Sequence, residues 1–158
     1  MKWVPPPPGM VKVNVDGAAA RRAAVVGVIR DELGNWMGGF VTKIGIADAL
    51  RAELWSILHG LKLAWDMGFR RVILETDSQL AIHVISSRNS LDPNYNLVAL
   101  IRLQLQMDWN CELTFAWREA NGCAHALAQA GLQMDFQEES LAHPPPWYLS
   151  ILSSDLNG

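Results

Sequence analysis

The sequence predicts an α/β domain built on a five-stranded mixed sheet with helices on both faces. Three observations carry this. Apolar periodicity along the chain gives the element order βββαβααβα. A long amphipathic helix separates the third strand from the fourth, so at least one later strand returns to the sheet through a crossover. The fourth strand, Val72-Ile73-Leu74, is apolar at consecutive positions, the pattern of a strand covered on both faces.

Each element has its own signal. Residues 1–10, with Pro5 to Pro8 and Gly9, read as a stiff polyproline linker entering the domain, as in a piece of a longer polypeptide. Residues 11–131 form the domain. Val11 to Gly17 alternates apolar and polar residues and closes on glycine, which predicts a strand. Ala23 to Arg30 is a second strand, Asp31 to Asn35 a turn, and Trp36 to Thr42 a third strand. Ala47 to Met67 is the clearest helix: Leu50, Leu54, Ile57, Leu58, Leu61 and Trp65 make one apolar stripe, and Gly68 suits the left-handed stop beyond it. Ser78 to Ile85 and Asn94 to Met107 are two further helices, broken by Asn89, Ser90, Asp92 and Pro93. Cys111 to Trp117 is the fifth strand, and Asn121 is placed to cap a last helix ending at Gly131. From Gln133 the pattern loosens, so residues 132–158 are expected to be a tail, with Pro144-Pro145-Pro146-Trp147 laid along the surface. No internal repeat is visible.

Composition narrows the functional classes. The 158 residues are half apolar and 18% charged, which suits one globular domain with a conventional core. No apolar run approaches the roughly 18 residues of a membrane helix, and the N-terminus lacks the apolar stretch of a signal peptide. Two cysteines, Cys111 and Cys123, show neither metal nor disulfide spacing and are expected as buried thiols of an intracellular protein, nuclear or cytoplasmic. The net charge is −3. Nucleic-acid binders generally lean on basic surfaces, and here the basic doublets are only Arg21-Arg22 and Arg70-Arg71. Any nucleic-acid contact is therefore expected to be weak, short or assisted by a tethered domain.

Three carboxylates each sit on a separate element. Asp16 follows the first strand, Asp77 the fourth, and Glu53 lies inside the long helix. Sites in such sheets form beyond the carboxyl ends of strands, and parallel pairing of the first and fourth strands would bring Asp16 and Asp77 together. Glu53 is flanked along its helix by Ala49, Ser56 and Gly60, a lane of small residues that lets the helix approach the sheet. Oxygen ligands converging from separate elements are what two-metal phosphodiester hydrolysis requires.

The quoted segments also carry a resemblance. Val13-Asn14-Val15-Asp16-Gly17-Ala18, Ala52-Glu53-Leu54, Glu75-Thr76-Asp77-Ser78 and Arg118-Glu119-Ala120-Asn121 with Ala124 and Leu127-Ala128 resemble the ribonuclease H domain of plant non-LTR retrotransposons and their domesticated relatives. The likeness covers about residues 3 to 131. It implies a ribonuclease H-like fold with strand order 3-2-1-4-5, and hydrolysis of the RNA strand of RNA–DNA hybrids. It also implies Mg²⁺ as cofactor, with Mn²⁺ as substitute, and a tethered reverse transcriptase or other domain as possible partner. Asp16, Glu53 and Asp77 fall on the family's first three catalytic and metal-binding carboxylates. The fourth aspartate of the family falls on His125, and a histidine associated with product release falls on Phe115.

Both departures bear on turnover, not on the fold. His125 can ligate when neutral, with Mn²⁺ tolerating nitrogen better than Mg²⁺, or act as an acid or base near the phosphate. Gly17, Ser78, Arg118 and Asn121 are candidates for nucleic-acid contact. Trp117 stands apart from the other tryptophans because it lies beside Arg118 on the way to His125, whereas most of the seven suit core packing. His59 and His83 lack partners at ligand spacing. The segment Ser86 to Asn96 carries only Arg88, so it offers no basic handle for gripping a hybrid. A catalytically silent binding module and an exonuclease on the same fold remain alternatives.

Overall fold

The computed structural model describes residues 2–87, 89–133 and 138–144. Three antiparallel strands open the fold: β1 (Val11–Ala18), β2 (Ala24–Arg30) and β3 (Trp36–Lys43). Helix α1 (Ala49–Asp66) then leads to β4 (Arg71–Thr76), followed by α2 (Gln79–Ser86) and α3 (Tyr95–Leu105). Strand β5 (Asn110–Phe115) runs through a 3-10 turn at Arg118–Asn121 into α4 (Gly122–Gln133), and β6 (Glu138–Ser140) closes the described chain. The first five strands take the expected order 3-2-1-4-5 in a mixed sheet, with β6 added at the edge outside β3. β1 pairs in parallel with β4 from Val11↔Val72 to Asn14↔Glu75, and β4 with β5 from Arg71↔Asn110 to Thr76↔Phe115.

Two cores flank the sheet. On one face, Val13, Val15, Val72 and Leu74 pack against Leu54, Ile57, Leu58 and Leu61 of α1, with α2 and α3 outside. On the other, Val26, Val28 and Val41 meet Cys123, Ala124, Leu127 and Ala128 of α4. Burial of the valines and leucines among these, each contributing about 1.5–3 kcal/mol, fixes which way β1 to β4 face.

The boundaries of α1 follow from its caps. The Asp48 carboxylate accepts a hydrogen bond from the Arg51 backbone N–H at 2.8 Å, so the helix starts after Asp48 and Ala47 instead bridges to Ala20. At the far end Gly68 takes φ +90°, and the Phe69 N–H reaches the Ala64 carbonyl, a Schellman stop.

Three expectations are corrected. Asn121 does not cap α4: it lies inside the 3-10 turn, fully buried, with its side chain turned toward β1. The segment after α4 is not all loose tail, because Glu138–Ser140 pair with β3 and Leu141 is held by a 2.8 Å bond from its N–H to the Gly39 carbonyl. A three-residue strand is too short for periodicity to register; its effect is to cover the β3 edge. Cys111 is half-buried, and only Cys123 is fully enclosed. Pro145 to Trp147 and Arg88 lie outside the described residues.

The proline-rich leader is anchored to the domain. Trp3 is buried, its indole Nε1–H donates to Asn14 Oδ1 at 2.9 Å, and the Arg30 guanidinium stacks on its ring at 4.0 Å. Among the described residues no helix is long and apolar enough to cross a membrane.

Candidate metal centre

Asp16 does not follow the first strand as expected but lies within β1, which pairs with β2 as far as Ala18. The parallel pairing of β1 with β4 stops at Asn14↔Glu75, so Asp16 and Asp77, the latter just past β4, come together where that pairing ends. Close docking of α1 adds Glu53. That docking has a visible cause. A Cβ on Gly17 would lie 2.5 Å from the Ala52 backbone, and one on Gly60 would lie 2.7 Å from Val15. Ser56, between them on the small-residue lane, is fully buried. Only this closeness lets a glutamate on α1 reach the strand ends.

Each of Asp16, Glu53 and Asp77 offers a carboxylate oxygen within 4.8 Å of the others. The Gly17 N–H donates to both Asp16 Oδ1, at 3.0 Å, and Glu53 Oε1, at 3.2 Å. Glu53 Oε2 is buried without a hydrogen-bond partner. Clustered carboxylates in a buried setting repel one another. Burial, reinforced by neighbouring Asp16 and Asp77, pushes the Glu53 pKa up to about 10. Asp77 is also raised, first by burial and then by Asp16, while Arg118 pulls in the opposite direction. Three hard oxygen donors from three elements, one with an oxygen that no protein group satisfies, fit a divalent metal cation.

His125 is brought to this cluster. It lies in the first turns of α4, and its Nδ1 is 3.0 Å from Asp16 Oδ2. The ring thus engages an oxygen of a candidate ligand. Arg118 meets the cluster at Asp77, with Nε donating to Asp77 Oδ2 at 3.2 Å and most of its side chain in solvent.

The other candidates fall in different places. Gly17 sits inside the carboxylate cluster. Ser78 caps α2, its hydroxyl oxygen accepting from the Ala81 N–H at 3.1 Å. Asn121 donates from Nδ2 to the Val15 carbonyl at 2.9 Å and accepts at Oδ1 from Asn14 Nδ2 at 3.0 Å. Its amide therefore joins the turn before α4 to β1. His59 packs between Phe40 and Trp55, and His83 lies in the last turn of α2, both away from the cluster.

Two features escaped the sequence reading. Asn14 is a hub: besides Asn121 it donates to Glu75 Oε1 at 2.9 Å and accepts from Trp3, tying β1, β4 and the leader together. Its place between apolar residues in β1 gave only a strand signal. The second is a cleft of about 330 Å³ lined by Asp77, Gln79, Phe115, Trp117 and Arg118, next to the carboxylates. Only the singling out of Trp117 pointed toward it.

Comparison with known proteins bears on the family and the fold. The chain is 36% identical to an Arabidopsis thaliana protein provisionally named a ribonuclease H protein, over 99% of this chain and 26% of that one. It therefore spans about a quarter of that relative. Among solved structures it is similar to ribonuclease H1 from the halophilic archaeon Halobacterium salinarum, with TM-score 0.72 and 28% identity over 78% of this chain and 98% of that one. It also shares its fold with LC11-RNase H1 solved with an RNA/DNA hybrid, at TM-score 0.65 and 21% identity, over 76% and 94% of the two chains. The family model described as reverse transcriptase-like matches residues 14–131. That span begins in the strand carrying Asp16 and ends in the helix carrying His125, so the whole candidate centre lies within it, and the chain belongs to the reverse transcriptase-like family, with a ribonuclease H-like fold.

Proposed function

We propose that this domain is a metal-dependent endoribonuclease that hydrolyses the RNA strand of RNA–DNA hybrids. The observation that carries the reading is the convergence of Asp16, Glu53 and Asp77 within 4.8 Å, with Glu53 Oε2 left without a protein partner. These three carboxylates would hold Mg²⁺, or Mn²⁺ in its place. Bound there, divalent ions supply a polarised phosphoryl oxygen and an activated water.

The chain's own residues set the remaining conditions. The Gly17 N–H orients Asp16 and Glu53 together. Arg118 holds Asp77 in place and presents a cation to an approaching phosphate. His125 stands where a fourth ligand or a proton carrier would act, at the price of engaging Asp16. With a net charge of −3, the domain gains substrate affinity from a tethered partner such as a reverse transcriptase.

A second reading is a silent module that binds nucleic acid or protein. The His125–Asp16 contact favours it, since an imidazole on Asp16 competes with a metal for that oxygen. The deciding experiment is cleavage of labelled hybrid with Mg²⁺ and with Mn²⁺, against single-stranded RNA, duplex RNA and duplex DNA. Cutting confined to the RNA of the hybrid supports the nuclease. Hybrid binding without cutting supports the silent module.

A further inference from the structure

The cleft beside the carboxylates has a lining that metal binding does not use. Phe115 and Trp117 alternate on one side of the chain as it leaves β5, and their rings meet edge to face at 5.0 Å and 78°. Trp117 is 53% exposed, whereas Trp3 is 3% exposed. Its ring is therefore offered to solvent, with Phe115 bracing it from the side. The same cleft holds the Arg118 cation, the Gln79 side chain and the Asp77 carboxylate. Its volume of about 330 Å³ lies at the small end of ligand-pocket sizes.

An aromatic face, a braced ring, a cation and an amide together match one nucleotide: base on the indole, phosphate toward the guanidinium. Bases inside a duplex are already stacked on their neighbours and cannot lie on a side chain. Aromatic stacking is the way proteins take unpaired bases. We propose that this cleft stacks one unpaired nucleotide next to the scissile phosphate, so that the domain favours hybrid bordering a single strand over continuous hybrid. The inference rests on the nuclease reading for its substrate but not for its test.

The test is fluorescence anisotropy, in EDTA so that nothing is cleaved, with three short labelled RNA–DNA hybrids. One is blunt, one carries a single-stranded RNA extension and one a single-stranded DNA extension. The wild type should bind an extended hybrid about tenfold more tightly than the blunt one, and the better extension identifies the strand that is read. Trp117→Leu, which keeps apolar bulk without a π face, should bring the ratio near one, while Trp117→Phe should retain most of it. Melting curves check that both variants fold. A wild-type ratio of one, a ratio that Trp117→Leu leaves intact, or binding of none of the probes overturns the stacking site. Hybrid cleavage without any preference for extended hybrids overturns it too, but leaves the nuclease reading standing. Trp117-dependent binding of extended hybrids with no cleavage under any metal supports the stacking site and removes the nuclease reading instead.

Discussion

The two halves of the candidate centre are built differently. On the β1–α1–β4 side, the carboxylates stand where packing puts them. Gly17 against Ala52 and Gly60 against Val15 bring α1 so close to the sheet that Glu53 has nowhere else to reach. On the β5–α4 side, packing is just as complete: Ala124, Leu127 and Ala128 are fully buried and Asn121 ties the preceding turn to β1. Yet His125 and Phe115 stand there in place of the aspartate and the histidine that the family resemblance implies, and Phe115 lines the adjoining cleft together with Trp117. Packing and chemistry use different residues on that side, so the chemistry can change while the fold holds. On the first side they are the same contacts, and a change in one disturbs the other.

The largest expected effect tests the first half. Asp77→Asn replaces one of three anionic carboxylates with a neutral amide and should lower metal-dependent cleavage at least a hundredfold. The metal-free protein should meanwhile melt several degrees higher, because a charge leaves a repulsive cluster. The check is a pair of melting curves with and without Mg²⁺ for each form. A Mg²⁺-induced rise as large in the variant as in the wild type would move the site elsewhere.

The pH dependence of stability follows from the same repulsion. Glu53 holds its proton up to about pH 10 in the fold against an ordinary value of 4.5. The folded state therefore binds more protons than the unfolded chain. The resulting stabilisation is complete below pH 4.5 and is lost as pH rises toward 10. Denaturant melts in EDTA between about pH 5 and pH 9 should show this decline, on the order of a few kcal/mol, and Glu53→Gln should flatten it. Equal slopes in both forms would mean that Glu53 is not the group holding the proton.

Asn121 probes the second half. Asn121→Ala takes the buried side-chain donor from the Val15 carbonyl and one of two acceptors from the Asn14 amide, which keeps Glu75, and should cost about 1–3 kcal/mol. Because the break falls just before α4, His125 should lose its fixed distance to Asp16, and the His125 ring signals in NMR should broaden or split. Unchanged stability in denaturant melts would remove Asn121 from the framework.

This residue also marks how far the sequence could be read. The strands, the long helix and the carboxylate trio were legible because each leaves a local pattern: alternation, a 3.6-residue stripe, an acid at or near the close of an apolar strand for Asp16 and Asp77, and a lane of small residues beside Glu53. Gly68 was legible for the same reason. Asn121 looked like a cap because asparagine before a helix usually is one. What reversed its role was Asn14, more than a hundred positions away in the chain, a partner that only the folded sheet supplies. The docking of Trp3 on Arg30 and the pairing of β6 with β3 are likewise long-range, and neither leaves a periodic trace. The aromatic cleft lay between: Trp117 stood out beside Arg118, but its pairing with Phe115 and its nearness to Asp77 needed the sheet to place β4 against β5.

The smallest expected effect concerns His125, the residue on which the two halves meet. His125 Nδ1 lies 3.0 Å from Asp16 Oδ2, so the ring occupies an oxygen that a metal would use. His125→Asp frees that oxygen and offers another, and the change should raise Mg²⁺-dependent cleavage about tenfold. It should also narrow the advantage of Mn²⁺ over Mg²⁺, since the nitrogen donor that suits Mn²⁺ is gone. In the absence of metal the sign reverses. A fourth carboxylate joins the cluster and the contact to Asp16 is lost, so the variant should be less stable by about 1 kcal/mol. Initial rates with each metal, together with EDTA melts, separate the possibilities. A variant with wild-type rates and wild-type stability would place His125 outside the centre. Hybrid binding by both forms with cleavage by neither would show that the second half no longer completes a nuclease, and that restoring one oxygen ligand is not enough to do so.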